Sequence, residues 1–157
     1  MWWSHSRAVI LSLAALAGCG FSPVYAPGGT AHGLRGRIDV ADPADEEAFE
    51  LVDRLRDRLG PAEAAPLRLQ ADLYITEEPI GLLPDGTISR YDAIGRVEWS
   101  LSDGAARVAQ GEETAFTGYS ATSTTVATIA ARRDARRRLM VILADRIVAD
   151  LLSRPLP

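Results

Sequence analysis

The sequence predicts an α+β fold, a two-layer sandwich in which two helices cover one face of a four-stranded, mostly antiparallel sheet. Along the chain, the apolar residues change between a period of two and a period of three to four, giving the order β-α-β-β-β-α. The last three predicted strands are long and are separated by short turn sequences, which is typical of antiparallel pairing. Such a sheet has one apolar face, and the two amphipathic helices predict how that face is covered.

Length and composition are those of one globular domain. The chain has 157 residues, of which 47% are hydrophobic and 24% are charged, a balance that supports a buried core and argues against general disorder. Its 17 basic residues are all arginine. After residue 18 the acidic residues outnumber the arginines, so the domain is net acidic and unsuited to general nucleic-acid binding.

The N-terminal region has the pattern of a secretory signal. Arg7 precedes the apolar run Ala8–Leu16, and small residues follow up to Cys19, which predicts a signal peptide over residues 1–18. The run is about half the ~20 apolar residues that span a bilayer, which disfavours an uncleaved anchor. Residues 19–35 are rich in glycine and proline, and we interpret them as a tether between the membrane and a domain over residues 36–157.

The sequence Leu-Ala-Gly-Cys that ends at Cys19 resembles the bacterial lipobox. The resemblance implies that Cys19 carries a covalent diacylglycerol and an N-acyl chain. Stable attachment needs more than one acyl chain, because a single chain holds a protein only weakly at a bilayer. Gly20, in place of aspartate, implies sorting to the periplasmic face of the outer membrane. With the only cysteine lipidated and His32 the only histidine after the signal, a metal centre or a catalytic triad is disfavoured.

The first helix is marked at both ends. A short strand over residues 37–41 precedes it, and Asp42 followed by Pro43 predicts an N-cap and a first helical position. Leucine and other apolar residues recur at intervals of three and four up to Leu59, which gives one apolar stripe. Gly60 then predicts the end of the helix.

Three strands follow. Residues 67–76 alternate strictly between apolar and polar side chains, and Pro79 predicts that this strand is broken soon afterwards. The second strand covers residues 87–101, with Gly95 as the predicted site of a bulge. The third covers residues 108–120 and alternates less clearly. A last helix over residues 126–152 has an apolar side formed by Ile129, Leu139, Met140, Leu143, Ile147 and Leu151.

Three features together resemble the LptE family of lipopolysaccharide-assembly lipoproteins, in its alphaproteobacterial form. They are the opening Cys-Gly-Phe-Ser-Pro-Val-Tyr at residues 19–25, the order of elements, and the arginine-rich helix over residues 130–147. The resemblance implies a non-enzymatic plug inside the LptD β-barrel of the outer membrane, which assists barrel assembly and delivery of lipopolysaccharide. It implies no cofactor beyond the lipid on Cys19.

Two other functional classes stay open from the residues alone. The first is an auxiliary binding lipoprotein of another envelope machine, such as a subunit of an ABC-type lipid transporter or a barrel-assembly accessory. The second is a lipoprotein hydrolase, which is disfavoured because the sequence contains no G-x-S-x-G motif.

The strongest charge feature is the run at residues 132–138, which contains five arginines. Guanidinium groups bind phosphates through paired hydrogen bonds, which suits the phosphates of lipid A. Alternatively, the run is a solvated face with an Asp134–Arg138 pair, or it contacts groups lining a barrel. The candidate contacts with lipopolysaccharide or a barrel are Arg132, Arg133, Arg136 and Arg137.

Overall fold

The computed structural model describes residues 34–62, 65–122 and 124–154. The described chain contains four strands and two helices, which are β1 (Ile38–Val40), α1 (Glu46–Leu59), β2 (Leu67–Leu82), β3 (Ile88–Asp103), β4 (Ala106–Ser120) and α2 (Thr125–Ser153). This order confirms the predicted α+β class. The predicted signal peptide, Cys19 and the predicted tether up to residue 33 lie outside the described residues.

The sheet has the order β1-β2-β3-β4. β1 pairs in parallel with the start of β2, from Ile38 opposite Leu67 to Val40 opposite Leu69, and α1 forms the crossover between them. β2, β3 and β4 form an antiparallel meander of long strands. The sheet is therefore mixed but mostly antiparallel, as the pattern predicts.

Both helices lie over one face of this sheet, which we call the covered face. On each strand alternate residues point to this face and are buried or half-buried there. Leu69 on β2, Val97 on β3 and Ala115 on β4 are buried and share one hydrophobic cluster with both helices. The opposite face, called the open face, carries mainly polar residues. One buried and one solvated face account for the period of two in the sequence.

α1 begins three residues later than predicted. Asp45, not Asp42, is the N-cap, and its Oδ1 accepts a hydrogen bond of 2.8 Å from the backbone N–H of Ala48. The predicted end is confirmed, because Gly60 has φ of 80° and donates its N–H to the carbonyl of Arg56 at 2.9 Å. A left-handed glycine after the last turn is a common way to satisfy a terminal carbonyl.

Two expectations for the strands are wrong. β2 does not break at Pro79 but continues to Leu82. Pro79 has the parity of Leu67, whose backbone N–H faces away from β3, so the missing N–H of Pro79 removes no hydrogen bond from the β2–β3 ladder. Gly95 does not form a bulge, since it pairs regularly with Ile75 and Ala115. It is a glycine because α2 lies directly on it: a Cβ atom there would be 2.8 Å from Cδ1 of Leu143.

The apolar side of α2 is buried as predicted except at its beginning. Leu139, Leu143, Ile147 and Leu151 are fully buried, whereas Ile129 is exposed. Within the described residues, the buried part of α2 is the part that packs over the sheet and beside α1. Neither helix of the described chain combines the length and apolar composition of a transmembrane span.

Candidate functional site

Arg136 lies at the junction of three elements. Its Nη2 is 2.8 Å from Oε1 of Glu77 on β2, its Nε donates to the same oxygen at 3.0 Å, and its Nη1 pairs with Glu47 on α1. The side chain of Glu77 is only 20% exposed and that of Arg136 32% exposed. Arg136 therefore joins α2 to α1 and β2, and its charge is neutralised within the domain.

The electrostatics of this junction are consistent with a structural role. Burial disfavours the charged guanidinium, but hydrogen bonds and charges from Glu77 and Glu47 outweigh it and raise the pKa of Arg136. Glu77 also accepts a hydrogen bond of 2.9 Å from the hydroxyl of Tyr119. Burial, followed by the hydrogen bond and charge of Glu77, raises the pKa of Tyr119 to about 12. Tyr119 stacks on Tyr91, with ring centroids 5.4 Å apart.

The next two arginines of the run also have partners. Nε of Arg137 is 3.5 Å from Oε1 of Glu50 on α1, a long and exposed contact. Arg138 pairs with Asp134 one helical turn away, as the alternative of a solvated face predicts. Arg138 also donates from Nη2 to the backbone carbonyl of Gly118 on β4 at 3.3 Å.

Arg132 and Arg133 differ from the rest of the run. Both are exposed, and neither forms an ion pair with a residue in the part of the chain that the structure describes. Of the four candidate contacts, these two therefore keep their charge available for an external anion.

Each of these two arginines borders a groove beside α2. Arg132 lies in a groove of about 390 Å³ between the start of α2 and the tyrosines Tyr91 and Tyr119. Arg133 lies in one of about 220 Å³ between the two helices, over Ile75 and Met140. The run at residues 132–138 thus does not form one site: Arg132 and Arg133 border different grooves, and the other three arginines form ion pairs within the domain.

One acidic partner of the arginine run, Glu77, could have been recognised in the sequence as a carboxylate on a buried face. Glu77 continues the alternation of Leu73 and Ile75, so its carboxylate falls on the face predicted to be buried. A carboxylate in that position requires a cation or a hydrogen-bond donor. The sequence spacing cannot show which arginine supplies it, because Arg136 is 59 residues away.

The end of the sheet next to the start of α2 exposes apolar side chains. In the β2–β3 hairpin, Leu82 is 71% exposed, and Ile80 and Leu83 are also exposed. Val126, in the first turn of α2, is exposed as well. Among the described residues, no group of three or more histidine, cysteine, aspartate or glutamate side chains is placed to hold a metal ion.

The fold is that of several small bacterial lipoproteins of known structure. A candidate lipoprotein from Caulobacter crescentus CB15 matches with a TM-score of 0.66 and 20% identity, over 80% of this chain and 95% of that chain. Rare lipoprotein B from Shewanella oneidensis matches with a TM-score of 0.56 and 18% identity, over 74% and 92%. A minor lipoprotein from Acinetobacter baumannii matches with a TM-score of 0.54 and 14% identity, over 76% and 94%. At these identities the likeness concerns the fold.

A sequence match identifies the family of the chain. A family model described as LptE, lipopolysaccharide-assembly, matches residues 36–151, a range that includes all four strands, α1 and nearly all of α2. The chain belongs to the LptE family, which confirms the family resemblance stated from its sequence. No curated protein sequence matches the chain closely enough to count as a relative.

Proposed function

We propose that this protein is a lipid-anchored, non-enzymatic assembly factor of the outer membrane. In this proposal it plugs an LptD-type β-barrel, helps that barrel assemble, and assists the transport of lipopolysaccharide to the cell surface. The observation that carries the proposal is the family match over residues 36–151. The lipobox-like sequence ending at Cys19 supports attachment at the periplasmic face of the outer membrane through acyl chains.

The geometry of the described domain is compatible with a role in binding rather than in catalysis. The ion pairs of Arg136 connect α2 to α1 and β2, which suits a domain that occupies a fixed place in a larger assembly. Arg132 and Arg133 remain exposed beside grooves and are the side chains we assign to the phosphates of lipopolysaccharide.

The proposal is tested by affinity purification of the full chain, tagged at its C-terminus, from detergent-solubilised membranes. We expect a large outer-membrane barrel to be recovered in a stable complex. Recovery of a transporter ATPase or permease without a barrel would instead support the auxiliary lipoprotein of another envelope machine.

Anchoring is tested separately with Cys19→Ser. We expect this variant to move from the membrane fraction to the soluble periplasm in cells depleted of the barrel, because no acyl chain can then be attached. If the variant stayed in the membrane fraction of those cells, the lipobox interpretation would be wrong.

A further inference from the structure

The backbone groups at the two outer edges of the sheet differ in their hydrogen bonding. On the β4 edge, Arg138 and Arg146 of α2 donate hydrogen bonds to the backbone carbonyls of Gly118 and Thr114, respectively. Eight helical residues rise about 12 Å and four strand residues about 13 Å, so the two arginines match the spacing of the two carbonyls. α2 therefore caps acceptors that a foreign strand would need.

Among the described residues, none protects the β2 edge in this way beyond its first residues. β1 pairs only with residues 67–69, where the N–H of Leu67 donates to Arg37 and the carbonyl of Leu69 accepts from Ala41. Because alternate residues of a strand point their backbone groups the same way, those of Ala71, Leu73 and Ile75 also face outward.

The outward backbone groups of Ala71, Leu73 and Ile75 have no hydrogen-bond partner within the described chain. The three residues are half-buried rather than buried, so the backbone is not enclosed by the domain. An unpaired edge of this kind is a template for an added strand.

Side chains along this edge define the partner. On the open face, Asp72 and Glu78 flank Tyr74, which is 50% exposed. The neighbouring β3 segment adds Glu98 opposite Asp72 and Asp92 opposite Glu78. The one cation in that segment, Arg96, is already bound to Glu98 at 2.9 Å and to Glu112 at 3.2 Å. The open face beside the edge is therefore acidic.

The covered face beside the same edge is apolar. Leu73 and Ile75 pack against the core from its margin and remain partly accessible. Side chains of an added strand that point to this face would extend the core, whereas those that point to the open face would meet carboxylates.

We propose that the outer edge of β2, from Ala71 to Glu78, binds an extended polypeptide segment that alternates apolar and basic side chains and adds to the sheet as a fifth strand. Its backbone pairs with Ala71, Leu73 and Ile75, its apolar side chains contact Leu73 and Ile75, and its basic side chains face Asp72 and Glu78. This inference concerns a polypeptide partner and does not depend on the identity of the barrel or on lipopolysaccharide.

The test uses the full chain and a short synthetic peptide that alternates valine and arginine. Amide hydrogen exchange, followed residue by residue by NMR, should slow at Ala71, Leu73 and Ile75 when the peptide is saturating. The amides of the β4 edge should exchange unchanged. A peptide with glutamate in place of arginine should bind much more weakly. Equal binding of both peptides, or binding without protection of these three amides, would overturn the proposal.

Charge variants give a second readout that does not disturb the core. Asp72→Asn combined with Glu78→Gln should weaken binding of the arginine peptide about tenfold at low salt. Asp53→Asn combined with Asp57→Asn removes the same charge from an exposed side of α1 and should leave the affinity nearly unchanged. The same loss in both double variants would mean that only net charge is sensed, and the edge would not be the site.

Discussion

Nη2 of Arg136 on α2 lies 2.8 Å from Oε1 of Glu77 on β2, a contact between a helix and a strand that are 59 residues apart in sequence. Glu47 of α1 binds the same guanidinium. Arg136 belongs to the basic run that suggested an external ligand, but its side chain connects the helical layer to the sheet. Breaking a partly buried pair leaves a carboxylate without its cation, which costs more than losing an exposed pair.

Arg136→Ala should therefore destabilise the domain by about 1–2 kcal/mol, because within the described chain Glu77 then keeps the hydroxyl of Tyr119 as its one remaining partner. Arg137→Ala, which removes an exposed pair with Glu50, should cost about 0.5 kcal/mol or less. Urea unfolding monitored by the fluorescence of the buried Trp99 measures both. Equal effects of the two variants would contradict a structural role for Arg136.

Gly95→Ala should destabilise the domain by about 1–3 kcal/mol, the usual cost of overpacking. The added Cβ would be 2.8 Å from Cδ1 of Leu143 and 3.0 Å from Cδ2 of Leu139, and both leucines are fully buried. Gly118→Ala is the matched control, since the nearest atom is the carboxylate oxygen of Asp92, 3.1 Å away, at the end of a side chain that can move. Thermal unfolding followed by circular dichroism should give Gly95→Ala a Tm well below that of Gly118→Ala.

The sequence pattern predicts the element order and the buried face of each strand. When one side of an element is covered, its apolar residues recur at a period of two in a strand and of three to four in a helix. The pattern misplaces features that depend on tertiary contacts. Asp42 has the residue type of an N-cap, but α1 begins at Glu46 and its N-cap is Asp45. Gly95 has the type expected at a bulge, but its position is fixed by the leucines of α2 that pass over it.

The candidate site shows the same division. A run of arginines is visible in the sequence, but whether each charge is neutralised depends on side chains from other elements. Arg136 is bound by Glu77 and Glu47, whereas Arg132 and Arg133 have no ion pair within the described chain. Helical spacing places arginines on faces of α2, yet it contains no information about which acidic residue of α1 or β2 lies opposite.

Stability should fall as the pH rises from 10 to 12, in part because of Tyr119. Its pKa is raised from 10.0 to about 12 in the folded protein, so the folded state holds this proton more tightly than the unfolded state. The resulting stabilisation is fully present below pH 10 and is lost as the pH rises through the folded pKa. Tyr119→Phe should show a shallower decline in the free energy of unfolding across this window. A decline identical to that of the parent protein would exclude the contribution of Tyr119.

Removing the caps of the β4 edge should make the domain prone to self-association. Arg138→Ala combined with Arg146→Ala frees the carbonyls of Gly118 and Thr114 for pairing with another chain. We expect light scattering to detect oligomers that increase with protein concentration, while circular dichroism remains that of the folded domain. A strictly monomeric double variant would show that these hydrogen bonds do not protect the edge.

Binding of lipopolysaccharide should depend on the unpaired arginines more than on the paired ones. Arg132→Ala combined with Arg133→Ala removes two exposed charges that form no ion pair with another described residue, and it should weaken binding about tenfold at low salt and less at high salt. Arg56→Ala combined with Arg137→Ala removes the same charge from residues already paired with Asp42 and Glu50 and should have a smaller effect. Binding of labelled lipopolysaccharide to the purified full chain, measured at two salt concentrations, compares them. If both double variants bind like the parent protein at low salt, the phosphates are not recognised by this part of α2.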